Sequence, residues 1–100
     1  MRISNKEIEV IKKLAVVIFG EGTKVLLFGS RTDDRMKGGD IDLLISNNQE
    51  SQLTLSAKIK FITELKLIIG DQKIDVVLDS ESTRKKKSFY HSIKQQAVEI

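Results

Sequence analysis

A chain of 100 residues with 40% hydrophobic and 31% charged residues has the size and composition of one small globular domain, too short to build two cores. With no cysteine it excludes disulfides and thiolate metal sites, leaving oxygen donors or the single His91 as metal ligands and magnesium rather than zinc as the expected metal. The formal charge of +3 is uneven: residues 84–100 carry Arg84, Lys85, Lys86, Lys87 and Lys94 against Glu99, a balance of +4, and residues 1–83 sum to −1. Such a basic segment fits either an acidic or phosphate-rich partner or a solvated helix face. There is no run of about eighteen apolar residues, and "MRISNKEIEV" lacks the apolar block of a secretory signal, so no membrane span and a cytoplasmic location are expected.

In chain order, Ser4 with Glu7 three residues later has the capping-box spacing that starts a helix. Ile8, Ile11, Leu14, Ala15 and Ile18 then recur at helical spacing, and Gly20 and Gly22 stop it. "KVLLFG" is short, apolar and closed by glycine, which reads as a buried strand. "DIDLLIS" alternates, with Ile41, Leu43 and Ile45 on one face and Asp40, Asp42 and Leu44 on the other. Past the polar link "NNQESQ", Leu55, Ile59, Ile62, Leu65 and Ile69 predict a second helix ending at Gly70. "KIDVVLD" is a third strand, with Ile74, Val76 and Leu78 opposed to Asp75 and Val77. A last helix is expected over 82–98, with Phe89, Ile93, Gln96 and Ala97 inward. No proline, repeat or linker divides the chain, so residues 1–100 are expected to form a single domain.

The chemistry gathers around residues 25–46 and 75. Carboxylates at i and i+2 of a strand project side by side, close enough to share a divalent cation; uncompensated, they repel and are costly to desolvate. Taken alone, Asp40 also fits a turn residue and Asp42 a solvent-facing one. Gly29-Ser30 stands where a strand ends, and glycine there permits the close backbone approach of a phosphate cradle; a Gly-Ser pair also makes a simple turn. Asp75 falls in the phase that faces the same place. Three carboxylates beside a phosphate cradle are the ligand set of two-magnesium, in-line phosphoryl transfer. His91, beside Tyr90, reads as a surface or packing residue.

The residues "FGSRTDDRMKGGDIDLLI" and the later "KIDVVL", spanning roughly residues 24–79, resemble the nucleotidyltransferase superfamily with the DNA polymerase beta-like core. The resemblance implies an α/β (α+β) fold: a small mixed β-sheet covered on one face by helices. At this length it points to the minimal nucleotidyltransferases, which often accompany a HEPN-domain ribonuclease toxin and act as its antitoxin, in some cases by moving AMP from ATP to a toxin tyrosine. Carried over by position, it implies Asp40, Asp42 and Asp75 as catalytic, metal-binding residues for two Mg2+ ions, with Asp75 helping to deprotonate the acceptor. Gly29, Ser30 and Arg31 would bind the nucleotide phosphates. Thr32 and Gly39 depart from the alanine and serine common in relatives, which bears on nucleotide and acceptor choice. The competing expectation is a non-catalytic antitoxin that neutralises its partner by binding alone. A nucleic-acid binder fits less well, because four Phe and one Tyr form no stacking pattern; a homodimer is compatible with the sequence.

Overall fold

Ser4 starts the first helix as its spacing predicts. Its hydroxyl accepts the Glu7 N–H at 3.1 Å, and the Glu7 carboxylate accepts the Ser4 N–H at 3.1 Å. The computed structural model describes residues 3–29 and 40–100. In order the elements are α1 (Asn5–Phe19), β1 (Lys24–Phe28), β2 (Ile41–Ser46), a 3-10 turn (Glu50–Gln52), α2 (Leu55–Ile69), β3 (Ile74–Leu78), α3 (Glu81–Arg84), α4 (Lys87–Gln96) and β4 (Val98–Glu99). α2 is capped by Thr54, whose hydroxyl accepts the Ala57 N–H at 3.1 Å, and closes where the Gly70 N–H meets the Lys66 carbonyl at 3.0 Å. Ser30 and Arg31 lie outside the described residues, as do Thr32 and Gly39.

The strands form one mixed sheet in the order β3-β2-β1-β4. β1 runs antiparallel to both β2 and β4, whereas β2 and β3 are parallel and α2 supplies the crossover between them. Helices α1 and α2 supply the apolar cover for one face: Ile11, Ala15, Phe19, Phe61 and Leu65 are fully buried, clustered with Val25, Leu27, Ile41, Leu43, Ile45, Ile74 and Val76. The rings of Phe19 and Phe61 stand 5.5 Å apart at 55°, the tilted arrangement that aromatic quadrupoles favour. Each large side chain so buried is worth about 1.5–3 kcal/mol, and together they fix which residues of β2 and β3 must point the other way. The second face carries Asp42, Leu44, Asp75 and Val77. Leu44 is fully buried there, while Ile93 is the buried residue of α4.

The C-terminal segment differs from the single inward helix expected over 82–98. Arg84, Lys85, Lys86 and Lys87 place four like charges in one turn, and the helix breaks at Lys86, whose φ of −84° and ψ of 74° leave the helical region. Ile93 is buried as expected, but Phe89 is 47% exposed and Gln96 faces solvent. At Ala97 the backbone extends (φ −68°, ψ 136°), and the β-branched Val98 pairs with Leu27 as part of β4. No helix among the described residues is long and apolar enough to cross a membrane.

Candidate active site

β2 is the strand from which the site is built. Ile41, Leu43 and Ile45 are wholly buried against the helices, so the period-2 alternation turns the Asp42 side chain to the opposite face. In the sheet register Asp42 is flanked directly by Phe28 on β1 and by Asp75 on β3. Asp40 precedes the strand, where the Ile41 N–H donates to the Lys73 carbonyl at 3.0 Å and ties the start of β2 to β3. Asp40, Asp42 and Asp75 each present a carboxylate oxygen, and these oxygens all lie within 4.8 Å of one another. The three acids expected from the sequence to share one place do so.

Their proximity has an electrostatic signature. The Asp42 carboxyl is pushed from 3.8 up to about 6, chiefly by burial, then by the negative charges of Asp75 and Asp40, with a hydrogen bond to Asp75 adding to the rise and Lys73 opposing it. Lys73 reaches the Asp40 carboxylate, Nζ to Oδ2 at 3.5 Å. A cation placed among the acids would relieve the penalty on Asp42, and three hard oxygen donors with no sulfur or imidazole among them fit Mg2+. Magnesium bound there would supply positive charge to a triphosphate and to an attacking oxygen.

Gly29 closes β1 on the neighbouring side of Asp42, with φ at +78°. A Cβ on this residue would collide with Asp42 Oδ2 and stand only 3.2 Å from its Cγ. Glycine is therefore required twice over, by the left-handed backbone and by the carboxylate pressed against it. Its backbone thus stands at the edge of the acid cluster, where the sequence expects a phosphate cradle; the other two residues of that expectation, Ser30 and Arg31, are outside the described residues.

A cavity of about 400 Å³ opens from the acids, lined by Phe28, Asp42, Asp75, Val77, Lys58 and Phe89 among others. Sequence reasoning left out Lys73, Lys58 and Phe89. For Lys73 a signal existed: two residues before Asp75, it shares that residue's strand phase. Lys58 and Phe89 come from α2 and α4, and only the tertiary arrangement brings them to β3. The basic segment also resolves in part. Arg84 donates from Nη1 to the Asp79 carboxylate at 3.1 Å and to its carbonyl at 3.0 Å, and its Nη2 pairs with Glu50, while the Tyr90 hydroxyl donates to Asp79 at 3.3 Å. Arg84 is thus a clamp that joins the end of β3 to the 3-10 turn.

Among curated proteins none matches this sequence. The sequence profile described as the nucleotidyltransferase domain does, over residues 6–99. With the strand acids, the glycine-closed β1 and the mixed sheet all inside that span, the chain belongs to the nucleotidyltransferase domain family, within the polymerase beta-like superfamily.

Proposed function

We propose that the protein is a magnesium-dependent nucleotidyltransferase that moves a nucleoside monophosphate, AMP from ATP, onto a hydroxyl of a protein acceptor, and that it serves as the cytoplasmic antitoxin of a HEPN-type toxin. In this reading residues 1–100 act as one minimal domain. The observation that carries the chemistry is the convergence of Asp40, Asp42 and Asp75 with Asp42 held up to about 6. That arrangement is expensive for a protein that does not bind a cation, and family membership implies a nucleoside triphosphate as the donor.

Asp40, Asp42 and Asp75 would hold the two magnesium ions, with Gly29, Ser30 and Arg31 at the phosphates. Asp75 lies on the outer side of Asp42, exposed, which suits a base for an incoming hydroxyl. The hydroxyl oxygen attacks the α-phosphorus and passes its proton to Asp75, and the bond from that phosphorus to the bridging oxygen breaks to release pyrophosphate.

The test is to incubate the protein with α-labelled ATP, magnesium and its partner. Wild type should label the partner, and Asp40→Asn with Asp42→Asn should reduce labelling by about 10³-fold or more. If the doubly substituted protein labels as well as wild type, the catalytic assignment is wrong. If it fails to label yet neutralises the toxin fully, neutralisation comes from covering the partner alone.

A further inference from the structure

β3 is an edge strand: among the described residues it pairs with β2 alone. The phase of that pairing is fixed at both ends, by the Ile41 N–H on the Lys73 carbonyl and by the Asp79 N–H on the Ile45 carbonyl at 2.8 Å. In a parallel ladder alternate residues bond to the neighbour, so Lys73, Asp75, Val77 and Asp79 face β2. The amide and carbonyl of Ile74 and Val76 are left turned to the open edge, while the Leu78 carbonyl is taken by the Ser80 N–H at 2.8 Å.

This edge forms the floor of a groove. The cavity at the acids is contiguous with a second of about 430 Å³ that shares Lys58, Val76, Val77 and Phe89 with it and continues to Ser80 and Lys86. Its walls are apolar where Leu55 (68% exposed) and Phe89 stand, and cationic at Lys58 and Lys86, neither of which has an ion-pair partner among the described residues.

Strand groups without a partner among the described residues, set between apolar walls, are what an extended peptide uses when it adds to a sheet. We infer that the acceptor docks as an added strand on β3, as an extended acidic segment. Its glutamate or aspartate residues meet Lys58 and Lys86, and its hydroxyl-bearing residue stands in register with Asp75. Cross-strand neighbours in register share a face, as Asp42 and Asp75 already do. A residue added opposite Asp75 on its free side would therefore deliver its hydroxyl to that carboxylate from the side away from Asp42. Docking rests on the proposed protein acceptor for its purpose, but binding and transfer are separate measurements.

The probe is a pool of acetylated, amidated heptapeptides with a central tyrosine, serine or threonine flanked by valine and glutamate, added to the full chain in magnesium buffer. The control pool has lysine for glutamate. The acidic pool should bind, slow amide exchange at Ile74 and Val76 by about tenfold or more, and lose about tenfold in affinity for Lys58→Glu with Lys86→Glu. Backbone N-methylation at the groups facing Ile74 and Val76 should abolish binding while leaving the protein untouched. Failure of every acidic peptide to bind, binding without protection at those amides, or indifference to N-methylation overturns the docking. Edge binding with no transfer of labelled AMP leaves the docking standing and counts against the proposed chemistry instead; labelling without edge protection does the reverse.

Discussion

Asp42→Asn should make the metal-free protein more stable and destroy its activity. In the native state the Asp42 carboxyl holds its proton to about pH 6, against 3.8 ordinarily. Between those values the native state binds more protons than the unfolded chain, so stability falls as pH rises; the deficit is absent below about pH 4 and complete above about pH 6. At 1.36 kcal/mol per pH unit the limit is about 3 kcal/mol. Asp42 is partly open to solvent, and screening reduces this to about 1–2 kcal/mol. Asparagine keeps the shape and removes the charge. In chelator at pH 8, Asp42→Asn should therefore melt about 5–15 °C above wild type, given about 4–8 °C per kcal/mol for a domain of this size. At pH 4 the two should melt together. Adding magnesium should stabilise wild type by mass action and close the gap at pH 8. Thermal melts by circular dichroism at the two pH values, with and without magnesium, decide the matter. An Asp42→Asn protein no more stable than wild type at pH 8, or equally stabilised at pH 4, would refute the reasoning that repulsion and burial at this carboxylate oppose folding.

Two further substitutions test the supports of the site. Gly29→Ala should cost about 1–3 kcal/mol, from the left-handed backbone and the collision with the Asp42 carboxylate; in an Asp42→Ala background, urea unfolding should show the cost reduced to the backbone part. Asn47→Ala should cost about 1–3 kcal/mol, because the buried Asn47 amide donates to Thr23 Oγ1 at 2.9 Å and the Glu21 carbonyl at 3.2 Å, and its oxygen accepts the Gln49 N–H at 2.8 Å. Urea unfolding reads that loss directly, and an Asn47→Ala midpoint unchanged from wild type would show that water satisfies those groups equally well.

The parts of the fold set by local pattern were legible. The Ser4–Glu7 box, the glycine stops at Gly20 and Gly70, and the alternation through Ile41–Ile45 and Ile74–Leu78 each depend on neighbours within a few residues. Asp75 was legible by phase alone, and its register with Asp42 followed from the parallel pairing. What escaped depends on contacts across the chain. Arg84 is drawn to Glu50, 34 positions away, and β4 exists because β1 offered a free edge to Val98. Asn47 sits in what reads as a polar link, yet it is buried, because it joins the end of β2 to the turn after α1. The acidic triad could be seen from the sequence; the groove beside it, built from α2, β3 and α4, could not.

The geometry of the acids follows from a contest of magnitudes. Burial and the charges of Asp75 and Asp40 together cost Asp42 about 1–2 kcal/mol by the reasoning above, and a one-residue slip of β3 against β2 would relieve the part due to Asp75. Such a slip would turn Ile74 and Val76, now buried, toward the acid face. Each of those side chains is worth about 1.5–3 kcal/mol in place, so the register that crowds the carboxylates is the one the core selects. Gly29 closes the other side of Asp42 with no room for a side chain. The acids are therefore held close by packing on the opposite face of the same strands. Their repulsion is retained in the folded protein, and on the proposed chemistry a bound cation would relieve it at carboxylates that packing already holds together.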